Sequence, residues 1–211
     1  MKLNLSKTKF MLFNPTLNYD FVPSLTMENT NIETQDEMKL LGLTVRNDLS
    51  WKSNTNSMVK RAYKKLWIIK RLKNQGANLD DLIDIYVKQV RSVLEFGVAV
   101  WNSGLTQEEI SDIERVQKAF MHIALGHEYL DYNSALQVTN LEPLNYRRKK
   151  LCTKFAIKTA NHLKHSHWFV KTELGPNTRS KKHKYKTPIC RLTRTRKGPI
   201  PYLTSLLNSK K

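Results

Sequence analysis

The stretch TQEEISDIERVQKAFMHIALG, residues 106–126, specifies a helix at both of its ends. Thr106, followed three residues later by Glu109, fits a capping box, in which the two residues satisfy each other's backbone N–H groups. Gly126 provides the stop, because glycine readily adopts the left-handed backbone that ends a helix. Apolar side chains recur between these ends at helical spacing: Ile110, Ile113, Val116, Phe120 and Ile123.

The same helical spacing extends on both sides of this stretch. We expect a helix from Ser53 to about Gly76, a second from Asn78 or Leu79 to about residue 101, and a last one opening at Pro143. A short helix around residues 134–138 is also expected. The pattern predicts a mainly α protein, a helical bundle that occupies residues 51–174.

Residues 1–50 have a different pattern. Residues 7–13 begin with strand-like alternation and run into the turn signal Asn14-Pro15. Residues 38–45 form a second strand candidate. We therefore predict a small β region, residues 1–50, ahead of the bundle.

Charge is distributed in blocks along the 211 residues, whose net charge is +18. Residues 146–211 carry 19 basic and one acidic side chain, whereas residues 106–145 are net acidic. The basic segment 179–197 has few apolar residues with which to offset the entropy of ordering. We therefore predict a disordered, flexible basic tail over residues 175–211. Block-like positive charge is typical of proteins that bind a polyanion.

Several classes are disfavoured by the sequence. Two cysteines, Cys152 and Cys190, cannot form a disulfide framework or a four-cysteine zinc site, and they suit a reducing compartment. No apolar run approaches the length of a membrane-spanning helix, and no secretory signal is present. We expect a protein of the nucleus or cytoplasm that is neither secreted nor membrane-spanning.

Two groups of residues invite a metal-site interpretation. Asp80-Asp81 could bind Mg²⁺, but acids in the first turn of a helix more often complement the helix dipole. His162, His165 and His167 are close in sequence but lack the partners of a usual zinc site. Solvated imidazoles, or imidazoles beside phosphates, are the favoured interpretation, and no phosphate-binding glycine loop is present.

The basic faces of the first and last helices favour nucleic acid as the partner. Such faces neutralise phosphates and release counterions, and Tyr63, Trp67 and Tyr146 could stack on bases. For the first helix taken alone, the favoured alternative is a solvated face with its aromatics in the core. Binding to an anionic membrane is the weaker choice, because large apolar residues are scarce among the tail charges.

The order of these elements resembles the carboxy-terminal part of a reverse transcriptase from a non-LTR (LINE-type, jockey-like) retrotransposon, over roughly residues 1–170. The segments that carry the resemblance to the end of the palm and to the thumb are NLSKTKFMLF (4–13), LLGLTV (40–45) with LSW (49–51), Tyr86 with RSVLEFG (91–97) and VW (100–101), IE (113–114) with QK (117–118) and LG (125–126), Tyr132, AL (135–136), Leu141, PL (143–144) and RR (147–148).

The resemblance implies template–primer binding by thumb helices, with Lys7 near the phosphates of the incoming nucleotide. RNA and DNA would be bound mainly through the phosphate backbone. The candidate nucleic-acid-binding residues are Lys7, Lys9, Arg61, Lys64, Lys65, Arg147, Arg148, Lys149 and Lys150.

The family's catalytic carboxylates precede the segment that Lys7 belongs to, so we expect no catalytic residue and no cofactor in this fragment. Mg²⁺ would bind only with the missing palm residues, and palm and finger domains would belong to a longer chain. The first hypothesis is a fragment of an RNA-directed DNA polymerase that binds nucleic acid but is inactive alone. The alternatives are a host-used, non-catalytic nucleic-acid-binding module, or a decayed reading frame without a selected function.

Overall fold

The chain divides into two units, residues 1–54 and residues 55–211. The structure is a computed structural model that describes residue 4 and residues 7–13, 24–172 and 184–209. The division falls close to the predicted boundary at residue 50. Part of the predicted tail, residues 175–183 and 210–211, lies outside the described residues, as do residues 14–23 and 173–174.

The first unit contains two small antiparallel hairpins. One pairs β1 (Thr26–Met27) with β2 (Thr30–Asn31), and the other pairs β3 (Glu37–Leu40) with β4 (Leu43–Arg46). The single strand predicted over residues 38–45 is wrong, because Leu41 and Gly42 both have positive φ and reverse the chain. The strand predicted over residues 7–13 is also wrong: only Phe10 pairs, through an isolated bridge to Thr34.

The second unit is built from helices. In chain order they are α1 (Lys52–Asn74, whose first turn belongs to the first unit), α2 (Leu79–Ile85), a π-helical segment (Tyr86–Arg91), α3 (Ser92–Glu95), α4 (Val98–Trp101), α5 (Gln107–Leu125), α6 (Tyr132–Thr139), α7 (Leu144–Ala160), α8 (Thr193–Arg196) and α9 (Pro199–Ser209). Short 3₁₀ turns cover Asn102–Gly104, Gly126–Glu128 and Ser166–Trp168. The mainly helical fold with a small β region ahead of it is confirmed.

The predicted second helix is continuous only as far as Glu95. Phe96 is extended and Gly97 has a φ of 64°, so the chain turns before α4 begins. Tyr86 is buried inside this region, where its ring stacks on Phe120 of α5 with centroids 4.1 Å apart. Its hydroxyl donates to Oε1 of Gln117 at 2.8 Å, which satisfies both buried polar groups.

The end of the predicted tail is ordered. α9 packs against α7, α4 and the 3₁₀ turn before α5, and buries Leu203 and Leu206. Asn208 also exchanges two hydrogen bonds with the backbone of Tyr185, at 3.0 and 2.9 Å. The prediction of a flexible segment is therefore wrong for these residues. Apolar residues at helical spacing after residue 199 provide the buried area that the preceding basic segment lacks.

Within the described ranges, no helix is both long and apolar enough to cross a membrane.

Candidate nucleic-acid interface

The outward face of α1 carries a stripe of cations with a tryptophan among them. Met58, Ala62, Leu66 and Ile69 are buried and define the inner face. The side opposite bears Lys60, Lys64, Trp67 and Arg71, which we call the α1 stripe. Their spacing of three or four residues aligns them along one side of the helix, and all four are exposed.

Trp67 is the most unusual member of the α1 stripe. Its side chain is 62% exposed, and the guanidinium of Arg71 lies 5.7 Å from the centre of its ring. Tyr63 is exposed beside it. The alternative interpretation, with the aromatics of this helix in the core, is therefore wrong for both residues. An exposed indole beside cations offers a flat surface for a base and charge for its phosphate.

α1 contains eight cations and no carboxylate. None of the eight forms an ion pair within the part of the chain that the structure describes. Nε of Arg61 donates to the carbonyl of Ser57 at 3.4 Å, and Nζ of Lys65 donates to Gln89 at 3.1 Å. Lys64 is exposed. Carboxylates of the described residues therefore leave the positive charge of this helix unneutralised.

α7 likewise contains no Asp or Glu, and six of its 17 residues are Lys or Arg. A groove of about 630 Å³ lies between it and α9, and we call it the α7–α9 groove. Its basic lining residues are Arg147, Lys149, Lys150 and Lys154. Tyr146 lines the same groove and is more than half exposed. The ammonium group of Lys150 lies 4.8 Å from the centre of its ring.

Two cations of the α7–α9 groove are paired with carboxylates. Lys150 binds Glu142, and this hydrogen bond raises the pKa of Lys150. Arg147 binds Glu95 through Nε and, at 3.2 Å, through Nη2. Nε of Arg91 lies 3.6 Å from the same carboxylate. Glu95 therefore neutralises two arginines, and Arg147 is only partly available to a phosphate.

Arg148 is misassigned as a phosphate contact. Its side chain is fully buried, on the same face of α7 as Leu144 and Cys152, and cannot reach a bound backbone in this structure. Nε donates to Oδ1 of Asn102 at 3.0 Å, while Nη1 and Nη2 have no partner among the described residues. Burial lowers the pKa of Arg148.

Lys7 and Lys9 belong to the first unit. Lys7 is exposed, whereas Lys9 forms an ion pair with Glu33. Asp80 and Asp81 lie in the first turn of α2, and the N-cap Asn78 accepts a hydrogen bond from the Asp81 N–H at 2.8 Å. No group of three His, Cys, Asp or Glu side chains in the described parts of the chain could hold a metal ion.

Sequence reasoning placed Lys60, Arg71 and Lys154 on the basic helix faces but did not include them among the candidate binding residues. The signal was available, since Lys60 and Arg71 continue the helical spacing of Lys64, and Lys154 follows Lys150 by four residues.

No protein-family model, curated protein or solved structure matches the chain.

Proposed function

We propose that the chain binds RNA and DNA through the phosphate backbone, using the α1 stripe and the α7–α9 groove. The observation that carries this proposal is the absence of carboxylates from two long helices whose cations are mostly exposed and unpaired. A solvated protein surface normally mixes both signs of charge, because unmixed positive charge repels itself. A polyanion relieves this repulsion and releases counterions as it binds.

Exposed aromatic rings at both places support nucleic acid over other polyanions. Trp67 and Tyr146 each lie beside a cation, so one site can hold a base and its phosphate together. We also propose, from the ordered sequence motifs alone, that the chain is the thumb and connection part of a non-LTR reverse transcriptase. In that role it would hold template–primer without performing the polymerisation.

The experiment is a salt titration of binding to an RNA hairpin and to duplex DNA. The test variant replaces Lys60, Lys64 and Arg71 with glutamine. The control replaces Lys88, Arg115 and Lys118 with glutamine, which removes the same charge from the neighbouring elements; two of these control cations already pair with acids. The slope of log affinity against log salt should fall by up to about 0.7–0.9 for each lost phosphate contact.

We expect weaker binding and a shallower slope for the test variant, with a much smaller change for the control. Binding that is insensitive to salt, or an equal loss in both variants, would overturn the proposal. Melting curves of both variants show whether either substitution set disturbs the fold.

A further inference from the structure

The residues that follow α7 form an exposed ladder of aromatic rings. The rings of His162 and His165 stack with centroids 4.9 Å apart and planes 21° from parallel. Trp168 continues the ladder, with its centroid 5.1 Å from that of His165. His167 meets the Trp168 ring edge-on at 6.2 Å. All four side chains are exposed, so four rings face solvent within seven residues.

The backbone explains why these rings align. The N–H of His162 donates to the carbonyl of Thr159, that of His165 to His162, and that of Trp168 to His165, at 3.1 Å in each case. Each bond closes a turn between residues three positions apart, the last of them the 3₁₀ turn Ser166–Trp168, and such turns bring the side chains at positions i and i+3 to the same side. The spacing of the three residues therefore produces the ladder.

Both ends of the ladder are fixed to the core. Thr159, at its beginning, is buried in α7. Phe169, directly after it, is also buried and lies edge-on to Tyr185 at 6.2 Å. The backbones of Val170 and Lys186 then hydrogen-bond at 2.8 Å. A ligand that uses the ladder would find its rings already ordered and would lose less conformational entropy on binding.

The charge around the ladder selects the kind of ligand. Residues 143–172 contain no Asp or Glu, while Lys158, Lys164 and Lys171 are exposed and lie within four residues of a ladder ring in sequence. The backbone N–H of Lys164 donates to Nδ1 of His162 at 3.2 Å, which leaves that nitrogen without a proton and the ring's Nε2–H as a donor. Flat faces, outward donors and unneutralised cations suit a ligand that alternates rings with negative charge.

We propose that the ladder His162–His165–Trp168 is a base-stacking site for single-stranded nucleic acid. Unpaired bases would continue the stack, and their phosphates would lie against the neighbouring lysines. Paired bases in the interior of a duplex cannot do this, because the neighbouring pairs cover both of their faces. This inference rests on the proposed nucleic-acid binding and adds a preference for unpaired nucleotides, which backbone contacts alone do not give.

The test compares the affinity for a single-stranded oligonucleotide with the affinity for a blunt duplex of the same length. A length of about 12 nucleotides is within the range that a small single-strand-binding domain occupies. The test variant is His165→Ala with Trp168→Ala. Trp168→Phe alone keeps an aromatic ring in place and serves as the conservative variant. The matched control is His127→Ala, an exposed histidine in the turn after α5.

We expect the double variant to bind the single strand about 10-fold more weakly, with the duplex affinity unchanged, and Trp168→Phe alone to retain most of the affinity of the unmodified protein. His127→Ala should leave both affinities unchanged. No change, or an equal loss for both nucleic acids, would overturn the ladder's role while leaving backbone binding intact. Failure of the unmodified protein to bind either nucleic acid would overturn both proposals. Binding of the single strand that disappears with EDTA would show that a metal ion carries the binding and would overturn base stacking.

Discussion

Arg148 and Asn102 are joined by one hydrogen bond in the interior, from Nε to Oδ1 at 3.0 Å, while the other two guanidinium nitrogens have no partner among the described residues. Nδ2 of Asn102 donates in turn to the hydroxyl of Tyr202 in α9 at 3.2 Å. This short chain links α7, the turn before α5 and α9. The partly satisfied buried charge of Arg148 is at one end of this series, which makes it sensitive to the loss of its one partner, Asn102.

Replacing Asn102 should cost more stability than replacing Arg148 with a side chain of similar length. Asn102→Leu leaves the guanidinium with no partner and should lower the free energy of unfolding by about 1.5–3 kcal/mol, the range for a hydrogen bond to a charged group. Arg148→Met removes the buried charge itself and should be close to neutral. Urea denaturation of both variants tests the ranking, and the opposite order would contradict it.

Glu95→Gln should lower the free energy of unfolding and, at the same time, increase the affinity for nucleic acid. The carboxylate is shared by Arg91 and Arg147, so its loss leaves two partly buried cations close together. Burial lowers the pKa of Arg91, and the nearby Arg147 lowers it further while Glu95 opposes both. We expect stability to fall by about 1–3 kcal/mol.

Arg147 would then be free for a phosphate. The salt dependence of duplex binding should therefore be steeper in the Glu95→Gln variant than in the unmodified protein. Thermal denaturation and the salt titration measure the two effects separately. An unchanged salt slope would mean that Arg147 does not reach the nucleic acid.

Cys152 should resist alkylation in the folded protein. Burial raises the pKa of its thiol to about 11, so little thiolate forms at pH 8, and its Sγ lies 3.8 Å from the carbonyl of Val98. Cys190 is only partly buried and should react first. Mass spectrometry of iodoacetamide-treated protein distinguishes the two sites.

The same thiol should make stability depend on pH at the alkaline end. Its pKa is higher in the folded than in the unfolded state, so its contribution is complete below the unfolded value near 9 and is lost as the pH rises toward 11. Cys152→Ala should flatten this part of the curve of unfolding free energy against pH. An unchanged curve would assign the effect to the buried tyrosines.

Leu203→Ala should destabilise the protein by about 2–5 kcal/mol, as expected of a core residue. The side chain is 2% exposed in α9, within a segment whose composition suggests a flexible tail. Ser205→Ala, on the exposed side of the same helix, should change stability by no more than about 0.5 kcal/mol. Chemical denaturation of both variants tests whether α9 folds with the rest of the unit.

The first unit should exchange its amide hydrogens faster than α5. Its described strands are two to four residues long, and short two-stranded hairpins are marginally stable on their own. Exchange followed by mass spectrometry should show the lowest protection over residues 24–46. Protection there equal to that of α5 would contradict the expectation.

Local signals predicted the helices well where both ends were marked. The capping box of Thr106 and Glu109 forms with both of its bonds, at 2.7 and 3.3 Å. Gly76 and Gly126 have positive φ at the ends of α1 and α5, as expected. The break at Gly97 was missed because the apolar pattern continues across it. Apolar spacing shows which residues share one face of a helix, but it does not show whether the helix is interrupted.

The site was harder to predict because the charge of a residue does not show whether its side chain points to solvent or into the core. Arg147 and Arg148 are adjacent in sequence, yet successive helical residues point about 100° apart, so one lies at the groove and the other in the core. The spacing of Arg148 from Leu144 and Cys152 held the clue. α9 was missed because the basic residues before it dominate the composition of the whole segment, although Leu203 and Leu206 keep a helical spacing.

The position of α9 also sets an order of events during synthesis. The ribosome makes α4, α7 and the turn before α5 earlier than the helix that packs on all three. Until Tyr202 and Leu203 have emerged, Asn102 lacks its hydroxyl partner and the inner face of α7 has no cover on that side. Helices that fold before residues 199–209 have emerged would therefore leave this flank of the bundle open.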